Sequence, residues 1–241
     1  MHLQYARHST LQKAPPDVQD LLFKSGVFSV NECFLPLFED YHYRFHLWGG
    51  RGSGKSHVVS DYVDYLLSLP DYCRIMLLRY IRDDIRRSIW KDFVDRITER
   101  DRLGEYRISY REMTVTHLRT GNELSATGVK SSKAQTAKLK SIAGYTHVVM
   151  EESDEIPKED KTKLIDSVRK KGVKIQIIEM FNTPRKSHYI WDDYTMTPVP
   201  EFEGYYMAEP TKESGIFSIW TDYQTNRQNL NEEWLRRYDN G

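Results

Sequence analysis

Cysteine is nearly missing from this chain. Cys33 and Cys73 are the only two among 241 residues, and no CxxC spacing occurs. A disulfide framework is thereby excluded, and the usage fits a reducing compartment. Long apolar runs are missing too. No stretch nears about 18 uninterrupted apolar residues, so none reads as a membrane span, and Met1 to Pro16 lacks the apolar core of a secretory signal. Net charge is the third absence: Lys plus Arg and Asp plus Glu both number 35. A binder of nucleic acid would have to act through local patches. Internal repeats and low-complexity tracts are also lacking. What remains, 39% hydrophobic and 29% charged residues, is the composition of an ordinary globular protein with length enough for one large cored domain.

Strand and helix signals alternate along it. Pro15 to Gly26 predicts a short helix bounded by Pro and Gly. A strand is expected at about Tyr43 to Trp48, then a helix from Lys55 to Leu69 that Pro70 stops. Arg74 to Tyr80 predicts a second strand. Asp83 to Arg100 reads as one long amphipathic helix with Ile85, Ile89, Phe93, Val94 and Ile97 on one face. Tyr106 to Tyr110 and Thr114 to Arg119 read as an antiparallel pair, with Glu123 to Thr127 following a turn. Val129 to Gly144 is polar and basic without a clear period. Thr146 to Met150 predicts a strand, Lys158 to Lys171 a helix, and Lys174 to Phe181 another strand. Such alternation implies an α/β fold with a mainly parallel sheet covered on both faces.

The most specific pattern sits between the first of these strands and the helix after it. Gly49-Gly50-Arg51-Gly52-Ser53-Gly54-Lys55-Ser56 satisfies G-x-x-x-x-G-K-[ST] at every fixed position. Glycines let backbone N–H groups curl towards one point, and the helix N-terminus adds its dipole there. Lys55 suits β- and γ-phosphates, and the Ser56 hydroxyl suits Mg²⁺, so ATP with Mg²⁺ is the expected ligand. Downstream, the apolar strand in "THVVMEESDEI" ends in Glu151 and Glu152. Delivered to the C-terminal edge of the sheet, the first suits the Mg²⁺ shell and the second a general base acting on water. The alternative is a solvated helix start, and Asp154 and Glu155 are read that way. A third strand exits into Asn182-Thr183-Pro184. Asn182 can meet the γ-phosphate or the attacking water, or simply belong to a turn.

The stretches "PLFEDYHYRFHLWGGRGSGKS", "RIMLLRYIRDDIRRSIWKDF", "AKLKSIAGYTHVVMEESDEI" and "MFNTPRKS" resemble, in order and spacing, the ATPase domain of the large-terminase family of tailed bacteriophages. "TDYQTNRQNLNEEWLRRY" resembles the segment where that domain ends, so the likeness runs from about Phe34 to Tyr238. It implies a P-loop ATPase of the additional-strand type that packages double-stranded DNA into a preformed capsid. It further implies a homo-oligomeric ring, portal protein and small terminase subunit as partners, no membrane, and a place in the host cytoplasm, transiently at the procapsid. Full-length members carry a nuclease domain after the ATPase, and Gly241 falls where it would begin. On this reading 1–42 is a lead-in, 43–210 the P-loop core, and 211–241 a segment leading towards the nuclease. Glu151 stands where many such ATPases have Asp.

The resemblance also gives the loop arginine a role. Arg51 becomes a phosphate-contacting cation, in cis or as a sensor, where the residues alone allow a surface arginine. A cation reaching a neighbour's site in trans is expected in "KLKSIAG", with Lys140 first and Lys138 second. Arg79, ending the second strand, can face the nucleotide or the DNA, and core-edge positioning is the reading preferred for it. Lys130, Lys133, Lys138 and Lys140 form a basic run that DNA contact or plain solvation both explain. A helicase-like translocase and an ATP-gated assembly module with weak hydrolysis alone remain the competing functions.

Overall fold

The computed structural model describes residues 3–7, 10, 12, 13, 15–24, 26–130, 142, 144–200, 202 and 204–239. A lead-in of β1 (Gln4–Arg7), α1 (Pro16–Lys24), β2 (Val27–Val30) and α2 (Leu35–Glu39) precedes the main sheet. Then follow β3 (Arg44–Gly49), α3 (Lys55–Ser68), β4 (Arg74–Ile81), α4 (Arg82–Ile85), α5 (Ile89–Glu99), β5 (Tyr106–Ser109), β6 (Thr114–His117) and β7 (Glu123–Lys130). Beyond them lie β8 (His147–Glu151), α6 (Lys158–Ser167), β9 (Gln176–Phe181), β10 (Tyr194–Pro198), β11 (Tyr206–Pro210), β12 (Ile216–Thr221) and α7 (Glu232–Asp239).

Eight strands form one sheet in the order β12-β3-β9-β8-β4-β7-β6-β5. The six from β12 to β7 run parallel, and β6 and β5 close one edge antiparallel. Alternate residues of the central strands feed separate cores, as a sheet covered on both faces requires. Phe45, Leu47, Ile75, Leu77, Val149 and Ile178 pack under α3, α5 and the lead-in. On the opposite face, Met76, Leu78, Val148, Met150 and Ile177 pack with Leu164 and Val168 near α6. Trp48, Phe181, Trp191 and Tyr194 make an aromatic cluster on that second side.

The helix that follows the glycine-rich loop is also held by buried charge. Asp61 accepts from Arg96 Nε at 2.9 Å, and Asp64 accepts from Arg100 Nη1 at 3.0 Å and Arg102 Nη1 at 2.6 Å. Tyr106 donates to Asp64 as well. These contacts tie α3 to α5 and to the edge hairpin, so the loop rests on a helix anchored along its length.

One expectation needs correction, and two features of the sheet go beyond the sequence reading. The long helix over 83–100 is two helices, broken at Arg86–Ser88. The apolar face is continuous across the break, which is why periodicity alone missed it: Ile85, Ile89, Phe93 and Ile97 are all buried. The restart lets the Ile89 N–H point at the Glu151 carboxylate, 3.4 Å away. Next, the strand with the acidic pair does not directly flank the strand before the loop, since β9 lies between them. Last, the sheet includes β12, in the C-terminal segment, which pairs with β3 in register Trp220↔Trp48 and Thr221↔Gly49. The two-stranded β10–β11 hairpin was likewise not anticipated. Among the described residues no helix is long and apolar enough to cross a membrane.

Candidate functional site

All six parallel strands present their C-terminal ends at one sheet edge, where open α/β folds collect ligands. There β3 runs into the loop 49–54, and α3 starts at Lys55. Gly49 has φ +128°, and a Cβ on it would lie 1.9 Å from the Thr221 carbonyl oxygen of β12. Only glycine permits that approach. A cleft of about 410 Å³ opens beside the loop, lined by Arg51 to His57, Glu151, Glu152, Met180 to Asn182, Asn226 and Leu230.

The structure therefore brings together most of the residues expected from sequence: Arg51, Gly52, Ser53, Gly54, Lys55, Ser56, Glu151, Glu152 and Asn182 share this cleft. Gly49 and Gly50 form the neck of the loop, with the Gly50 N–H donated to Thr221 O at 3.1 Å. Arg51 and Asn182 are exposed. Lys140, Lys138 and Lys133 lie outside the described residues. Lys130 ends β7 exposed, 5.6 Å from the Tyr80 ring. Asp154 and Glu155 sit in a 3-10 turn, Ser153–Glu155.

The side chains at the cleft have partners already. Lys55 Nζ donates to Gly50 O at 2.8 Å, Gly49 O at 3.3 Å and Ser53 Oγ at 3.0 Å. Burial pushes its ammonium down to about 8. Glu151 faces the N-terminus of α5, where the helix dipole favours a carboxylate. Asp92 on α5 is held above the usual carboxylate range, by burial first and by Glu151 second. Glu152 is paired with Arg79 from β4 and has left-handed backbone, φ 48° and ψ 49°. Such backbone in a non-glycine residue costs about 1–2 kcal/mol, and strain of this kind gathers at functional sites.

Sequence reasoning left Arg79 at the core edge without its partner, and missed Asp92, Asn226 and Leu230 altogether. Arg79 lies near the end of β4, which pairs directly with β8, and that pairing across the sheet is what brings it to Glu152. Nothing local marks Asn226, which lies more than 170 residues beyond the loop it touches.

Oxygen donors suit a magnesium ion: Ser56 offers a hydroxyl and Glu151 a carboxylate within one cleft. Among the described residues no three His, Cys, Asp or Glu side chains converge. Mg²⁺ keeps most of its waters and takes one or two carboxylates, so Ser56 and Glu151 are the residues that would hold it. A second cleft, at the opposite sheet edge, contains Cys73 and His147. Burial lifts the Cys73 thiol to about 12 and lowers the His147 imidazole to about 4, so this pair is neutral and unsuited to nucleophilic work.

A glycine-rich loop between strand and helix, a carboxylate pair two strands away, and an extra strand between the two define a P-loop nucleoside triphosphatase fold of the additional-strand class. The model of the family described as phage terminase large subunit matches residues 42–240. The chain belongs to that family. No curated protein sequence matches it. Among solved structures, the large terminase of a thermophilic bacteriophage is similar over 86% of this chain and 49% of its own, with a TM-score of 0.65 and 14% identity. The large-terminase ATPase domain of Thermus phage P74-26 is similar over 92% of this chain and 91% of its own, with a TM-score of 0.63 and 13% identity. At these identities the likeness establishes the fold. The chain spans about half of the first of these proteins and nine-tenths of the second, a lone ATPase domain.

Proposed function

We propose that this chain is the ATP-hydrolysing motor portion of a phage packaging machine that moves double-stranded DNA into a procapsid. The observation that carries the reading is the meeting of Lys55, Ser56, Glu151, Glu152 and Asn182 in one cleft at the sheet's C-terminal edge. The structural relatives supply context: the large terminase of the thermophilic bacteriophage has been captured with ADP and with ATP-γ-S.

In this reading Lys55 leaves the loop carbonyls and grips the β- and γ-phosphate oxygens, while backbone N–H groups of the loop hold the rest of the chain of phosphates. Ser56 and Glu151 would hold Mg²⁺, which supplies neutralising charge on the phosphate oxygens. Glu152 takes the proton of the attacking water. Asn182 contacts the γ-phosphate or that water and reports its loss through β9. Arg51 stabilises charge on the transferring group in cis, and Lys140, with Lys138 second, reaches the site of the next subunit in a homo-oligomeric ring. Portal protein, the small terminase subunit and DNA are the partners, in the host cytoplasm and transiently at the procapsid.

A module with weak hydrolysis alone draws support from one observation: Glu152 is held by Arg79. Low turnover that rises with protein concentration and with DNA accommodates both readings. The test is phosphate release by the isolated chain against Mg²⁺, DNA and protein concentration. Turnover should require Mg²⁺, and Glu151→Gln should raise the Mg²⁺ needed for half-maximal rate on the order of tenfold. Hydrolysis indifferent to Mg²⁺ would remove the assignment of Ser56 and Glu151.

The Lys55 environment gives a pH prediction. Phosphate contact needs the ammonium form, which the free protein loses as pH rises through about 8. Nucleotide affinity should hold steady below that pH and weaken above it, by up to roughly tenfold per pH unit. Binding above pH 8 should take up a proton, read by calorimetry in buffers of different ionisation heat. For folding the sign is opposite. The unfolded chain binds more protons than the native one between about 8 and 10.5, so this group adds stability as pH climbs through that window. Affinity unchanged from about pH 7 to about pH 9 would show that the lysine gripping the phosphates is not depressed by burial in the free protein.

A further inference from the structure

The phosphate loop has an outer side as well as an inner one, and the chain's own C-terminal segment covers it. Thr221 at the end of β12 accepts the Gly50 N–H at 3.1 Å. The chain then turns through a 3-10 helix, Gln224–Asn229, into α7. Asn226, 9% exposed, donates its side-chain N–H to the Gly52 carbonyl at 2.8 Å. Its own Oδ1 accepts from Asn229 Nδ2 at 2.8 Å, which fixes the amide's orientation. Farther on, Trp234 lies over Gly52: a Cβ there would stand 2.8 Å from the indole Cη2. Arg227, paired with Asp239, ties the end of α7 back to the 3-10 turn. These residues follow no phosphate-binding pattern, yet Asn226 and Leu230 line the same cleft as Lys55.

The peptide plane gives this contact a consequence. In a trans peptide the C=O of one residue and the N–H of the next point in opposite directions. Asn226 holds the Gly52 carbonyl on the outer side, so the Ser53 N–H is directed away from Asn226. In a loop that cradles phosphate through backbone N–H groups, a peptide plane fixed in advance is what favours anion binding. Left alone, a run of glycines would populate many peptide orientations, and ordering them on binding would cost affinity.

We infer that residues 222–239 clamp the outside of the phosphate loop, with Asn226 as the positioning residue, and that docking of α7 and occupancy of the cleft by nucleotide strengthen one another. This rests on the nucleotide reading above and adds a route from the loop to α7. Coupling of this kind is reciprocal: a clamp that raises nucleotide affinity must itself be held more firmly when nucleotide is bound.

The test uses ADP as the probe on the full chain. Asn226→Ala should weaken ADP binding roughly fivefold to tenfold, the scale of one well-formed hydrogen bond. Under turnover, KM for ATP should rise by a similar factor while kcat changes less than about twofold. Asn226→Asp should bind more weakly still, because a carboxylate has no N–H to offer Gly52 and adds negative charge beside the phosphates. In the unaltered protein ADP should slow amide hydrogen exchange across 224–239, and Asn226→Ala should lose most of that protection. Both variants binding ADP within about twofold of the unaltered chain would overturn the clamp, as would exchange in 224–239 that ADP leaves unchanged. If Asn226→Ala fails to fold, the exchange experiment on the unaltered protein decides alone. Lys55→Ala separates the two levels. If the unaltered chain binds no more ADP than Lys55→Ala does, the nucleotide reading itself fails. Normal binding with unaffected Asn226 variants removes the clamp alone.

Discussion

Glu152→Gln should lower ATP turnover by roughly 10²- to 10⁴-fold, the loss typical of removing a general base, while nucleotide binding stays near normal. The substitution isolates the chemistry. Glutamine matches glutamate in shape, pays a similar cost for the left-handed backbone at this position, and keeps an oxygen for Arg79 to contact. What disappears is the ability to accept a proton from water. The ion pair with Arg79 sharpens the expectation. The guanidinium occupies the carboxylate oxygen that must meet the attacking water, so Glu152 works best once Arg79 has let go. Arg79→Ala should therefore raise the basal rate and reduce its dependence on DNA, where Glu152→Gln abolishes both. Phosphate release and ADP affinity, measured side by side for the two variants, check this. Turnover in Glu152→Gln within a few-fold of normal would assign the base elsewhere, and Asp92, close to Glu151, would be the next residue to change.

The parts of the site legible in sequence are those whose chemistry is local. Glycines before Lys55-Ser56 specify loop and helix together. An apolar strand ending in Glu151-Glu152 announces its own edge. Asn182 follows a strand whose residues Gln176–Phe181 are all buried. What escaped reading depends on partners remote in the chain. β12 carries a strand-like "IFSIWT", but its place is set by pairing with β3, about 170 residues earlier. The contact of Asn226 with Gly52 has the same character. The break at Arg86–Ser88 escaped because burial remains in phase across it; the restarted helix meets a carboxylate on β8, which is remote in the chain. Likewise β9 comes late in sequence yet lies between β3 and β8, an order that residue periodicity does not encode.

Glu179 combines both sorts of information and should give the largest stability effect. It lies on β9, fully buried, three residues before Asn182. Its Oε1 accepts from Arg44 Nη2 at 2.8 Å and lies 3.1 Å from His46 Nε2, and its Oε2 accepts from Lys161 Nζ at 2.8 Å. Burial pushes this carboxyl up, but His46, Lys161 and Arg44 together outweigh burial and hold it well below the usual carboxylate range. One anion thus neutralises groups from β3 and from α6, across the strand that brings Asn182 to the cleft. Glu179→Ala leaves the nearly buried Lys161 ammonium and the Arg44 guanidinium without this partner. Breaking such a pair from one side costs about 3–5 kcal/mol, a fall in Tm of roughly 6–20 °C for a chain of this size. Glu179→Leu combined with Lys161→Met should recover the part of the loss that comes from Lys161, leaving Arg44 to Asp193, since an apolar pair of similar volume carries no desolvation penalty. The pH dependence separates charge from packing. A depressed carboxyl contributes stability in full above its unfolded value, near 4.5, and loses it as pH falls through the folded one. The unaltered protein should therefore lose stability steeply below about pH 4.5, and Glu179→Ala should show a shallower acid limb from a lower starting point. Thermal melts from about pH 3 to about pH 8 check both. A Tm within about 2 °C of normal at neutral pH would mean that the buried cations find other partners, and that β9 is held in place by its hydrogen-bonded neighbours alone.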